Sequence, residues 1–253
     1  MSHAFTKREL REQRRAERQA AERAIAARAM RRRRLWQLTA TLGLAAVVVA
    51  VAIAVSSGGG NSAGTNRSPS QAAALFAGIP EHNGVLGDPR APVTVTEFVD
   101  LQCPICAEAS RTLLPSLVRD YVKTGKVKLQ ARTLQFIGSD SVRAARVAAG
   151  AERQGRLWPF LEAFYAAQKT ENSGYVTDGF LRSVASAAGV NAGAALAYAN
   201  GAAAQQPLAT ANAEASRLGV TGTPTFTVAR GHRAPKVVSA QDLGSALAVA
   251  SRQ

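Results

Sequence analysis

Cysteine is almost absent from this 253-residue chain, which has two. A scaffold stapled by several disulfides is therefore excluded, as is a four-thiolate zinc or iron–sulfur site built from this chain alone. Histidine is nearly as scarce, with only His3, His82 and His232, and methionine occurs twice. Between Arg34 and Arg67 there is no charged residue at all. The rest is ordinary: 47% hydrophobic and 19% charged residues, with 21 Gly and 10 Pro. That is the composition of a globular chain rather than a disordered or collagen-like one. The length suits one domain with extensions, or two small domains. Alanine and arginine are abundant, a bias that implies no mechanism by itself.

The formal net charge of +14 is unevenly spread. Residues 1–34 hold 12 Lys and Arg against 4 Glu, and only a mild basic excess remains from Arg67 onward. Concentrated in a terminal tract, the charge gives no reason to expect a nucleic-acid partner for the folded part. Leu35 to Val55 is uncharged and apolar except at Gln37, Thr39, Thr41 and Gly43. At 1.5 Å per residue this run spans roughly 30 Å, the hydrocarbon thickness of a bilayer. Arg31–Arg34 abut it and Trp36 sits where an interfacial aromatic belongs. Residues 35–55 are therefore expected to form an uncleaved transmembrane helix with the N-terminus cytoplasmic and the C-terminal part outside. A signal peptide cleaved after Ala52-Ile53-Ala54 fits less well, because both the charged and the apolar stretches are longer than such a peptide uses. Segment 1–34 reads as a basic cytoplasmic topology signal, with a solvated helix expected over residues 5–34. Ser, Gly and Asn dominate beyond the span, so 56–77 is expected to be a flexible tether leading to a domain at 78–253.

Within that domain Pro92–Val99 alternates β-branched residues and reads as a strand. From Cys103 the apolar period changes: Cys106, Leu113, Leu114, Leu117, Val118 and Tyr121 recur at helical spacing. Pro115 should kink or split that helix, and Gly125 should end it. Val127–Leu134 is a second strand, and strand–helix–strand in this compass implies a parallel pair. Residues 139 to about 218 are Ala-rich with four or five amphipathic stretches. Pro224–Ala229 and Lys236–Val238 regain strand character, and Ala240–Ala250 closes as a helix. The expected fold is α/β: β-α-β and β-β-α halves of one small sheet, separated by a helical insertion.

Both thiols lie in Cys103-Pro104-Ile105-Cys106, directly after a strand and at the start of a helix. A lone C-x-x-C is a weak signal, but here the unpaired N–H groups of the helix start favour an anion on Cys103 and so a depressed thiol pKa. Cys106, one turn further on the apolar face, should be shielded. An exposed Cys103 would form the mixed disulfide and Cys106 would resolve it. An inert local disulfide and a Cu(I)-handling module with a third ligand from elsewhere are the competing readings.

Three stretches are similar to one family, in order. They are Glu97-Phe98-Val99-Asp100-Leu101-Gln102-Cys103-Pro104-Ile105-Cys106, Gly155-Arg156-Leu157-Trp158-Pro159-Phe160-Leu161 with Phe164 and Gln168, and Val220-Thr221-Gly222-Thr223-Pro224-Thr225-Phe226. From Gly78 onward the chain resembles the DsbA-like branch of the thioredoxin superfamily, the extracytoplasmic thiol–disulfide oxidoreductases. The resemblance implies a thioredoxin fold with Cys103 and Cys106 as catalytic residues. It also implies a cis Thr223–Pro224 bond facing them and offering backbone to substrate, and an acidic residue, Glu97, beneath the pair as a proton relay. Alternation alone leaves open whether Glu97 is buried or solvated. Clients would be exported proteins with thiols or disulfides, and a membrane redox partner would recycle the pair. Neither cofactor nor metal is expected. Ile105 departs from the Cys-Pro-His-Cys form and supplies no charge, which implies a less oxidising pair. Oxidase, reductase and isomerase directions stay open, with an outward-facing domain favouring oxidation.

Overall fold

The computed structural model describes residues 74–252, which belong to one compact unit, Asn66–Gln253. The basic segment, the expected transmembrane helix and the tether up to residue 73 lie outside the described residues. Among those described, no helix is long and apolar enough to cross a membrane. The tether boundary expected at 77 is corrected: Phe76 is buried in the core and Leu75 packs against it, so the fold begins before Gly78.

The fold opens with a hairpin whose signal is a dipeptide rather than a period. β1 (Glu81–His82) and β2 (Val85–Leu86) pair antiparallel across Asn83-Gly84, with φ of 50° and 73°. Asn and Gly tolerate this left-handed region, which a two-residue hairpin turn requires. Next come β3 (Val93–Val99) and β4 (Val127–Thr133), parallel as expected, in register from Val93↔Val127 to Val99↔Thr133. Between them the helix is split at Pro115 into α1 (Pro104–Thr112) and α2 (Leu114–Leu117). The proline lacks an N–H, and its ring crowds the carbonyl four residues back. A π-type turn, Val118–Val122, follows, closed by the Lys123 N–H donating to the Val118 carbonyl at 2.9 Å. Gly125, at φ 71°, then turns the chain into β4.

The insertion contains α3 (Ser139–Glu152), α4 (Leu157–Ala166), α5 (Asp178–Ala187), α6 (Ala192–Asn200) and α7 (Gln205–Leu218). Thr177 and Asn191 cap α5 and α6, accepting from the Phe180 and Ala194 N–H groups. After it come β5 (Thr225–Arg230), β6 (Lys236–Val238) and α8 (Leu243–Ala250). The sheet order is β1-β2-β4-β3-β5-β6, with β5 antiparallel to β3.

β3 lies inside this sheet and separates two cores. Val93, Val95 and Val99 face the larger one, shared with α1, α4 and α8. Phe98 turns the other way, against Leu134, Val220 and the α7 alanines Ala211 and Ala215. Arg132 and Glu214, 2.7 Å apart, tie α7 to β4. The Glu81 carboxylate accepts the Leu157 and Trp158 N–H groups, at 2.5 and 3.4 Å, and so caps α4 from the hairpin. Burial pushes Glu81 up to about 7, against the lowering effect of those two bonds.

The alanine bias has a structural use. Ala144, Ala145, Ala148 and Ala149 of α3 and Ala195 and Ala199 of α6 are buried. The two helices pass so closely that a Cβ on Gly150 would stand 2.7 Å from the Ala195 backbone. Gly150→Ala gains up to about 1 kcal/mol of helix propensity, but it must displace backbone rather than a side chain. We expect a net loss of about 1–2 kcal/mol, read as a lower urea midpoint at unchanged slope. An unchanged midpoint would show that α3 and α6 separate freely.

Candidate active site

The end of β3 and the start of α1 place the two cysteines. Cys103 is the N-cap of α1, with φ −73° and ψ 118°. Its sulfur accepts the Cys106 N–H at 3.4 Å, and Pro104 fills the first helical position, where no N–H is needed. From the other side, the Cys103 thiol donates to the Thr223 carbonyl at 3.3 Å. Thr223 precedes β5, and its bond to Pro224 is cis. Two segments 120 residues apart thus meet at one sulfur. Cys103 is not exposed as expected: it is 6% exposed and Cys106 0%. The Thr223 loop lies against the first sulfur, and the second is inside the core. Ile105, between them, is 63% exposed.

The two thiols are pushed in opposite directions. Cys103 falls from its ordinary value to about 6, chiefly through hydrogen bonding with the Cys106 thiol. Burial opposes this, and the Thr223 side chain and the Cys106 and Ile105 N–H groups add to it. Cys106 rises far above its ordinary value, first through burial, then through its hydrogen bond to Cys103 and the Coulomb effect of Cys103. Glu97 adds further repulsion to that ionisation. Glu97 itself lies on the face of β3 that carries Val93, Val95 and Val99 and is 9% exposed, so the face that alternation left open is the inner one. Burial, and then repulsion from Glu162, raises its carboxyl to about 8.

Several residues that frame the site carry no periodic signal. The buried Asp100 carboxylate accepts from the Gln102 N–H (2.8 Å), the Phe136 and Ile137 N–H groups (2.7 and 3.2 Å) and the Ser141 hydroxyl (2.6 Å). Its own carbonyl accepts the Cys103 N–H at 3.0 Å. Gln168 donates to the Leu101 and Cys103 carbonyls, at 2.7 and 3.2 Å. The Gln102 side chain joins the Asn172 N–H and the Tyr175 hydroxyl, each at 2.8 Å. The Asp-x-Gln turn was readable as an Asx turn; the partners beyond it were not. Among the described residues no group of three or more His, Cys, Asp or Glu is placed to hold a metal ion.

Comparison with known proteins gives the family of the fold. A family model described as Thioredoxin matches residues 81–247, and the chain belongs to that family. It is 36% identical over 101 residues to the probable disulfide bond formation protein D of Bacillus cereus, covering 39% of this chain and 47% of that protein. It is 32% identical over 124 residues to disulfide bond formation protein D of Bacillus subtilis, covering 47% and 56%. The chain thus spans about half the length of these relatives. Among solved structures, oxidised BdbD from Bacillus subtilis superposes with a TM-score of 0.60 at 23% identity, over 70% of this chain and 97% of that one. A thioredoxin-like oxidoreductase from Silicibacter pomeroyi gives 0.54 at 28% identity, over 72% and 98%.

Asp100→Ala would leave four donors without their acceptor, at about 1–3 kcal/mol for each one that stays buried and unpaired. We expect a loss of at least about 3 kcal/mol in urea unfolding, and a smaller loss for Asp100→Asn, which keeps one acceptor oxygen. A loss under about 1 kcal/mol for the alanine variant would remove Asp100 from its framing role.

Proposed function

We propose that this protein is an extracytoplasmic thiol–disulfide oxidoreductase that oxidises exported proteins, with Cys103 as the exchanging sulfur and Cys106 as the resolving one. The observation that carries this reading is Cys103 at the helix start, its sulfur accepting the Cys106 N–H and its pKa held near 6. Such a thiol is about nine-tenths ionised at pH 7. It is therefore a good leaving group. The names of the Bacillus relatives, disulfide bond formation proteins, support the same chemistry.

In the oxidising direction a client thiolate attacks Cys103 Sγ of the Cys103–Cys106 disulfide. The S–S bond breaks, its electron pair passes to Cys106, and Cys106 takes a proton from Glu97. A second client thiolate then attacks the client sulfur of the mixed disulfide and expels Cys103 as a thiolate. Two client thiols are oxidised and the pair is reduced, ready for recycling by a membrane redox partner. Thr223 and Pro224 hold the client's extended backbone beside the mixed disulfide. Residues 35–55 anchor the domain, supported by their uncharged apolar run and the four arginines before it.

Cys103→Ser should abolish exchange. Cys106→Ala should retain attack on oxidised clients and accumulate mixed disulfides, read on non-reducing gels. In the reduced wild type, whose Cys106 thiol is the chief cause of the lowering, the Cys103 alkylation rate should titrate with a midpoint near 6. Equal trapping by both single variants, or a midpoint at the ordinary thiol value, would overturn the assignment of roles.

The anchoring is tested separately by a reporter fused after Gln253, which should be active outside the cytoplasm. A reporter that stays cytoplasmic, or a soluble mature protein lacking residues 1–54, would contradict it.

A further inference from the structure

Bonded to the helix that carries the cysteines is a second buried carboxyl with no part in the exchange steps above. Glu162, on α4, is 6% exposed and accepts a hydrogen bond from the Ser110 hydroxyl of α1. Ser110 is four residues after Cys106 and therefore shares its side of α1. Glu97 reaches the same core from β3, and α4 packs on α1. Two carboxyls in one low-dielectric site do not both ionise near neutrality, and the one supplied with a donor keeps the charge while the other keeps the proton. Here the donor is Ser110 and the carboxyl it serves is Glu162.

We propose that Glu162, anchored by Ser110, is a positioning residue that keeps Glu97 in the neutral form, holding the proton it delivers to Cys106. The inference rests on the exchange chemistry proposed above and deepens it. When the client thiolate attacks Cys103 Sγ, the electron pair of the broken S–S bond arrives at Cys106 Sγ, which binds the Glu97 proton. Glu97 becomes a carboxylate beside that of Glu162, and their repulsion drives Glu97 to take a fresh proton from solvent. The titratable groups that interact with Glu97 include Cys106 from α1 and Glu162 and Tyr165 from α4. Its sheet neighbours Ala131 and Phe226 are uncharged. In agreement, repulsion from Glu162 is the second cause, after burial, of the upward shift at Glu97.

The test uses the full chain in detergent, oxidised, with dithiothreitol reducing the Cys103–Cys106 disulfide across pH. After correction for ionisation of the attacking thiol, the wild-type rate should fall with a midpoint near 8. In Glu162→Gln the midpoint should drop by about one unit, which at pH 8 is a roughly fivefold loss of rate. Glu162→Asp should restore most of it, and Ser110→Ala should shift it the same way by less. A residue of purely structural importance would lower the rate at every pH without moving the midpoint. Unmoved midpoints in both Glu162→Gln and Ser110→Ala overturn the inference. If the wild type exchanges no thiols, the proposed function falls instead. The Glu97 carboxyl resonance, followed by 13C NMR in the reduced protein, still reads the midpoint and decides the part of Glu162.

Discussion

The buried Asp100 carboxylate holds the site together by hydrogen bonds. It draws in two backbone N–H groups after β4, a hydroxyl from the first turn of α3 and the N–H of Gln102, while its own carbonyl receives the N–H of Cys103. The strand end, the entry to the insertion and the helix start are thereby fixed by one residue. Gln168 and Gln102 extend the same lattice to the segment between α4 and α5. Chemistry at a helix start needs such support. The first turn is where backbone N–H groups lack partners, and its usefulness depends on their staying aimed at one atom.

The two thiols differ because the same helix puts them in different surroundings. Cys103 sits at the cap with donors around its sulfur, and Cys106 sits one turn deeper where burial penalises charge. Nothing in the four-residue motif distinguishes them except order along the helix. Glu97 follows the same logic: burial, and then the neighbouring Glu162, push its carboxyl up.

What could be read from sequence was what local pattern determines. β3, β4 and the split at Pro115 follow from alternation, period and ring geometry, and the helix-start position of Cys103 follows from the junction of two periods. The cis bond at Pro224 came only through family resemblance, since no local rule points to it. The shielding of Cys103 escaped because it is imposed by a loop 120 residues away. The side chosen by Glu97 escaped because a strand with cores on both faces gives alternation no polar side to mark. The β1–β2 hairpin was too short to show a period, although Asn83-Gly84 announced its turn. The role of alanine at the α3–α6 crossing needed the helices in contact before it could be seen.

The capping position of Cys103 also has a thermodynamic consequence. A thiol whose folded pKa lies near 6, against about 9 when unperturbed, contributes stability that is fully present above pH 9 and is lost as pH falls through 6. Only the dithiol form can collect it, because a sulfur in a disulfide does not titrate. Between those limits the proton inventory of the reduced protein diverges from that of the oxidised one. The gap in folding stability between the two redox forms therefore depends on the acidity of the compartment.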